Sequence, residues 1–382
     1  MSERQSTEQP ISYPPGFAAT EPDRRALIVL LHLASLTPAR LGLLALSHPT
    51  ATACLRAVRG GTAGSQADRG RARSLDAGEA AARVRACGAR LVAVGDPDYP
   101  PELLALHDPP AGLFVRGRDL CELAPRVAIV GARNCSPTGR EVSRAIARDL
   151  AQAGVCVVSG GARGIDASAH MGALAGGGPT VAVLGCGIDT VYPKQHQRLL
   201  GQISRECALV SEYPPGTPAE PFRFPARNRI VAALSRAVVV VEGALGSGSM
   251  ITASHALEIG REVFAVPGAV TSALSAVPLG LMREGARMIR DAADLIEDLG
   301  WLPSPRASSS ARGEDSSPPG LSLDEESVWR VLGAALTLDQ VAALTGMPLP
   351  AALSTLSRLE LRGAVWEVGG RYERRLRPRP SS

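Results

Sequence analysis

The feature that most constrains this chain is an alternation that begins near Arg126. Short β-branched, apolar runs lie at Val127–Val130, Val155–Val158, Thr180–Leu184, Ala208–Val210, Ala237–Val241 and Glu262–Val266. Between them lie helical stretches such as Thr138–Ala153, with Val142, Ile146 and Leu150 on one face. Strands apolar on both faces and separated by helices require a parallel sheet covered on both sides. The crossovers are right-handed by default. The expected core is therefore α/β, a doubly wound parallel sheet over roughly Leu113 to Leu299.

A chain of 382 residues exceeds one compact core, so flanking modules are expected. Residues 1–20 read as a disordered arm and 21–98 as a helical module, with Leu27, Leu30, Leu31 and Ala34 at helical spacing. Within that module Gly60–Arg73, rich in Gly, Ala, Arg and Ser, reads as a loop. The sheet domain takes 99–300, and 301–320, rich in Ser and Pro, reads as a linker. Residues 321–376 give helix, turn at Gly346, helix and a hairpin at Val365–Tyr372, the order of a winged helix. Residues 377–382 form a basic tail.

Forty-one basic against thirty-seven acidic residues leave a formal charge of +4. That excludes a histone-like polycation and leaves room for a local anion-binding face. No run of eighteen uncharged apolar residues exists, and Met1–Pro15 lacks an apolar signal core, so a cytoplasmic protein off the membrane is expected. Seven cysteines without a C-x-x-C pair fit free thiols in a reducing compartment, not disulfides or zinc. Forty of the basic residues are Arg, and Lys194 is the single lysine. Genomic base composition explains the bias but not the exception.

The glycines mark where chemistry can occur. The first strand runs into Gly131-Ala132-Arg133-Asn134, the second into Ser159-Gly160-Gly161-Ala162-Arg163-Gly164-Ile165-Asp166, and the fifth into Glu242-Gly243 and Gly246-Ser247-Gly248-Ser249-Met250-Ile251-Thr252. In a parallel sheet all these turns share one edge, where helix N-termini expose free N–H groups. That edge suits phosphate, although βα turns need glycine in any case. Phe222 to Arg229 opens the helix before the fifth strand, which brings Arg227, Asn228 and Arg229 to the same edge beside Phe224. Cations next to a ring fit a nucleic-acid backbone and a stacked base; the plainer alternative is that one Arg pairs with Glu212 or Glu220. Lys194, in the loop after the third strand, is a point charge where the Arg fork would not fit, or else a solvated surface lysine. Asp166 reads as a helix N-cap. There is no metal-ligand spacing, no Walker lysine and no G-x-S-x-G elbow. The bulky Arg133 in the first turn argues against a dinucleotide pyrophosphate.

Taken together, Ala128–Arg133, Ser159–Asp166, Ala182–Gly187, Ser211–Gly216, Phe224–Arg229 and Val266–Gly268 resemble the DNA-processing protein A (DprA/Smf) family of bacteria. The resemblance runs in order from about Tyr99 to Leu299. It implies a Rossmann-like core between an N-terminal SAM-like domain and a C-terminal winged helix, often as a homodimer. It also implies a single-stranded DNA-binding protein, without cofactor or catalysis, that protects incoming strands and loads the RecA recombinase in natural transformation, with single-strand-binding protein as a further partner. By position, Arg133 falls at the family's first-turn arginine, Lys194 at its pocket lysine, Arg227, Asn228 and Arg229 in its basic helix, and Ser247, Gly248, Ser249 and Thr252 in its serine-glycine turn. Asn134, Gly160, Arg163 and Phe224 complete the expected DNA site. Two departures stand out: Gly161 replaces the usual Leu, and Ser275–Leu279 lacks the family's Gly and Asn.

A rival reading is a Rossmann-like nucleotide hydrolase, with Glu212 or Glu242 as its carboxylate. Its Pro-Gly-Gly-x-Gly-Thr turn is missing here. A winged-helix transcription factor is weaker on charge, since Leu349–Leu361 carries only Arg358.

Overall fold

The computed structural model describes residues 11–301, 321–332, 336–362, 364–368 and 371–374. Residues 302–320 of the expected linker, the expected tail at 377–382, and residues 1–10 of the expected arm lie outside them. The chain divides into two compact units, Met1–Ser304 and Pro305–Ser382.

The first unit opens with five helices, α1 (Glu21–Leu31), α2 (Pro38–Ser47), α3 (Ala51–Gly60), α4 (Gln66–Ser74) and α5 (Ala77–Ala86). Strands β1 (Arg90–Ala93), β2 (Gly112–Gly117) and β3 (Arg126–Val130) follow. Next come α6 (Pro137–Gln152), β4 (Cys156–Ser159), α7 (Ile165–Ala175), β5 (Thr180–Leu184), α8 (Gln197–Glu206) and β6 (Ala208–Ser211). The unit closes with α9 (Arg223–Ala233), β7 (Ala237–Val240), α10 (Gly248–Glu258), β8 (Glu262–Ala265), α11 (Ala276–Arg283), β9 (Arg287–Met288) and α12 (Ala292–Asp298).

These strands form one sheet in the order β1-β2-β6-β5-β4-β3-β7-β8-β9. From β6 to β9 every pairing is parallel, while β2 runs antiparallel to both β1 and β6. The six expected strands are all present, and their side chains are buried on both faces, as a sheet covered by helices requires. The strand order reverses at β3, which pairs with β4 on one side and β7 on the other. The carboxyl edge at this reversal is where α/β sheets bind ligands.

Three departures from the sequence reading have physical causes. Residues 11–20 are not a free arm: Phe17 is 1% exposed, stacks with Tyr13 at 5.0 Å, and Thr20 caps α1 through its side chain. The stretch read as a loop before Arg73 contains α4, started by a reciprocal capping box between Ser65 and Asp68. Strand β1, four residues within the expected helical module, joins the sheet by pairing with β2. A four-residue run gives too little periodicity to identify a strand.

His170 on α7 is fully buried. The Thr180 hydroxyl donates to the Val157 carbonyl (2.6 Å), so it accepts from the His170 Nδ1–H (2.7 Å). Nε2 is left buried without a partner, which fixes a neutral ring. Burial, with a smaller push from Arg227, pulls its pKa down to about 3. The unfolded chain therefore takes up a proton near pH 6.5 that the native state refuses, so stability is lost as pH falls from 6.5 towards 3. The expected loss through this residue is about 2 kcal/mol at pH 5. Denaturant titrations at pH 7 and pH 5 should show that loss, and His170→Gln should remove most of it.

The second unit contains α13 (Leu323–Val331), β10 (Leu336–Thr337), α14 (Leu338–Thr345), α15 (Leu349–Leu361), β11 (Val365–Val368) and β12 (Arg371–Arg374). Its three strands pair antiparallel in the order β10-β12-β11. Gly346 ends α14 at φ 70°, a left-handed C-cap that turns the chain into α15. Val328, Val341, Ala352, Leu356 and Leu359 form its core. This is the expected winged helix.

Candidate nucleic-acid interface

At the carboxyl ends of β3, β4 and β5 the structure holds a pocket of about 310 Å³. Arg133, Gly160, Arg163, Phe224 and Arg227, all expected site residues, line it. Leu184, Gly185, Cys186, Tyr192, Pro193 and Gln195 line it too and were not singled out as contacts. Lys194 is exposed between Pro193 and Gln195 at the mouth, and Asn134 is exposed next to Arg133.

Aromatic and cationic groups alternate along one wall. The Arg133 guanidinium lies 5.2 Å from the centre of the Phe224 ring, and the Tyr192 ring packs against Phe224 at 5.0 Å. Phe224 fits only because residue 185 is glycine, since a Cβ there would meet the ring at 2.7 Å. Tyr192 lies two residues before Lys194, so the same loop brings a ring and a cation to the pocket.

Arg227 forms the floor. It is 3% exposed, and its Nη1 donates to the Val183 carbonyl. Its Nε is buried with no partner in the protein. Burial pulls its pKa down and the nearby Asp166 opposes that pull. A buried guanidinium beneath the pocket puts positive charge at its floor, which favours an anionic ligand.

Two backbone anion sites on this edge are already filled by the chain itself. Asp166 does not cap α7, whose N-cap position is Gly164. Its Oδ2 accepts the N–H groups of Gly160 (3.1 Å) and Ala162 (3.3 Å). Burial pushes this carboxyl up, and Arg227 opposes the shift. Glu242 likewise accepts the N–H (2.9 Å) and hydroxyl (2.5 Å) of Ser136 at the start of α6. The expectation that these turns present free N–H groups to phosphate is therefore corrected for Gly160. The Gly131 and Gly164 turns are tight for packing reasons: a Cβ on Gly164, at φ 79°, would strike the Ala132 carbonyl.

Arg229 is also corrected. It is buried, and its guanidinium pairs with Glu212 (2.8 Å) and Asp108 (3.1 Å). Its side chain points to the interior although Asn228 beside it does not, because successive residues on α9 point to different faces. Asn228 and the serine-glycine turn form a separate cluster outside the pocket lining. Asn228 Nδ2 and the Thr252 hydroxyl both donate to the Gly248 carbonyl (3.1 and 3.3 Å), and the Ser247 and Ser249 hydroxyls bond each other. Ser249 and Thr252 are buried. Their polar groups hold the α9–α10 junction together.

All seven cysteines are free, and five are buried. Among the described residues no His, Cys, Asp and Glu cluster could hold a metal, and no helix is long and apolar enough to cross a membrane.

Comparison with known proteins matches residues 90–300 to the family described as DNA recombination-mediator protein A, and residues 312–371 to the DprA winged helix domain. The first match starts at the first residue of β1, so the antiparallel edge belongs to the family's core. The protein Smf of Escherichia coli is 40% identical over 282 residues, 72% of this chain and 75% of that protein. The DNA processing protein DprA of Streptococcus pneumoniae is 43% identical over 204 residues, 53% of this chain and 72% of that one. The X-ray structure of the Streptococcus pneumoniae protein superimposes with a TM-score of 0.65 at 34% identity, covering 72% of this chain and 97% of that one. A structure described for its single-stranded DNA binding mode, DNA processing protein A from Helicobacter pylori, gives 0.50 at 29% identity, covering 56% and 97%.

Proposed function

Because this chain belongs to the DNA recombination-mediator protein A family, with a DNA-processing role, we propose that it binds single-stranded DNA, protects incoming strands and loads RecA onto them during natural transformation. The observation that carries the reading is the pocket, which Arg133, Arg163 and the buried Arg227 line together with the Phe224–Tyr192 pair, with Lys194 exposed next to the lining residues Pro193 and Gln195. Cations hold phosphate, and the ring faces accept a base of any identity. Few groups remain for reading base edges, so binding is sequence-tolerant. The related Helicobacter pylori protein, whose structure is described for its single-stranded DNA binding mode, supports the same ligand here.

Hydrolysis of nucleotides finds little support in the geometry. Glu212 is consumed by Arg229, and Glu242 by Ser136. Asp166 and Glu242 also occupy the backbone donors that a mononucleotide phosphate would use.

A protein that only coated DNA would block a recombinase, whereas a mediator holds the strand and releases it. Salt-sensitive backbone contacts can be released stepwise, which suits a hand-over. The expected result is a shortened lag in RecA strand exchange on DNA already covered by single-strand-binding protein, with no ATP hydrolysis by this chain. An unchanged lag with DNA binding intact would leave a protective binder and end the mediator reading.

A further inference from the structure

The basic charge of this chain is concentrated away from the pocket. Helices α3 to α5 and their connections, residues 51–86, hold seven arginines against Asp68, Asp76 and Glu79, an excess of four that equals the formal charge of the whole chain. Two of the three carboxylates there are committed to backbone and hydroxyl groups, and Glu79 is exposed on α5. Asp68 is buried and takes hydrogen bonds from Ser35 and Ser65, and Asp76 accepts the Glu79 N–H at the start of α5.

Three of the arginines have internal work. Arg59, Arg69 and Arg73 donate to carbonyls at the ends of α3 and α4, a favourable place for cations. Arg56, Arg71, Arg83 and Arg85 do not. All four are exposed, and among the described residues none has a carboxylate within 4.0 Å. Arg71 and Arg83 come from different helices, yet the charge of both acts on His32, just after α1: burial first, and then these two cations, hold its imidazole below the ordinary value. Like charges brought together without counter-charge cost stability, and an anionic ligand relieves that cost.

This face also reaches the candidate site. The Arg83 Nη1 lies 3.9 Å from where a Cβ would stand on Gly216, in the loop between β6 and α9. That loop is tied to the one after β5, since the Gly187 N–H donates to the Thr217 carbonyl at 2.9 Å. The second loop carries Tyr192 to the pocket wall and Lys194 to its mouth. The Asp189 carboxylate on this route is turned to the Gly216 N–H at 2.8 Å. The helical face therefore touches, through Arg83, a loop that is hydrogen-bonded to the loop carrying Tyr192 and Lys194.

We propose that this helical face is a second contact for the single-stranded DNA backbone, taking up the strand as it leaves the pocket. The proposal rests on the pocket reading above and extends it. Arginines on helix surfaces, with no aromatic side chain between them, track phosphates and leave bases untouched. The pocket fixes one end of the strand, and the helical face lengthens the site.

The test uses the full chain and two oligothymidines, one short enough to fill only the pocket and one several times longer. The variant Arg71→Gln/Arg83→Gln changes exposed side chains, and circular dichroism checks that it folds. Its affinity for the long strand should fall about tenfold, and the slope of log K against log salt should flatten by roughly 1.4, at about 0.7 for each lost phosphate contact. Its affinity for the short strand should not change. Unchanged long-strand binding overturns the proposal and leaves the pocket standing if Arg133→Ala still weakens binding. Equal loss on both strands also overturns it, because the face would then act through the pocket. Loss confined to duplex DNA assigns the face to another ligand and overturns it as well. If Arg133→Ala leaves the short strand bound as tightly as before, the pocket reading itself fails.

Discussion

Replacing Arg229 by alanine should destabilise the first unit by about 3–5 kcal/mol, the size of effect seen when one partner of a buried ion pair is removed. Glu212 would remain buried with its carboxylate unpaired, and Asp108 would lose its guanidinium. The pair sits where several segments meet. Tyr13 precedes α1, and Tyr99 lies in the segment between β1 and β2. Burial pushes the phenols of both upward, and the charges of Glu212 and Arg229 act on both. Tyr99 further donates its hydroxyl to the Pro110 carbonyl at 2.8 Å. Arg229 therefore fastens α9 to Asp108, in the segment before β2, and to Glu212, just after β6. Urea titration measures the loss. The double variant Arg229→Leu/Glu212→Leu should recover part of it, since removing both charges avoids the unpaired carboxylate. Under conditions where Arg229→Ala is folded, its DNA affinity should keep the wild-type salt slope. A flattened slope would return Arg229 to the phosphate-contacting residues.

Arg229 also shows how far the sequence could be read. Arg227, Asn228 and Arg229 are consecutive, and the run of letters places all three at the start of one helix. Helical geometry then sends them in different directions, one to the pocket floor, one to the α10 junction and one to the interior. Which direction each takes depends on where Glu212, Asp108 and Gly248 lie, and those are long-range facts. Most strands of the parallel core were legible because each carries its own signal, a short apolar run rich in β-branched residues, and at β3, β4, β5 and β7 a glycine follows closely. Strand β1 carries only Arg-Leu-Val-Ala, and its partner β2 supplies the reason it is a strand. Helix α4 was legible in principle from the Ser65-x-x-Asp68 spacing, but the glycines around it masked the cap.

The occupied turns follow the same logic. Glycine-rich turns at strand ends suggest empty phosphate cradles, because free N–H groups are what such turns expose. Whether a carboxylate from elsewhere fills them is decided by side-chain reach. Asp166 reaches back from the first turn of α7, and Glu242 reaches across from the end of β7. The consequence is chemical. The edge keeps its positive side chains, while the N–H groups of Gly160, Ala162 and Ser136 are already taken; under the proposed function this favours side-chain contacts to the phosphates of a strand.

The triple variant Arg133→Ala/Arg163→Ala/Lys194→Ala should therefore lose about 3–4 kcal/mol of single-strand affinity, a fall of two to three orders of magnitude. Each exposed cation supplies about 1 kcal/mol in this argument, since water and salt screen it. The three losses should be similar for every base composition, because phosphates carry no sequence information. The salt slope should flatten by roughly 2, at about 0.7 for each contact. Phe224→Ala gives the contrast. A lost base stack costs about 1–3 kcal/mol, and it releases no counterions. Its salt slope should stay close to wild type while its affinity falls, apart from any shift of Arg133, which rests on the same ring. Fluorescence anisotropy across a salt series reads both quantities for both variants. If the triple variant keeps its slope, the three cations do not touch phosphate, and Arg227 with the helical arginines must hold the strand. If Phe224→Ala flattens the slope as strongly as the triple variant does, the ring serves to position Arg133 and no base stacks in the pocket.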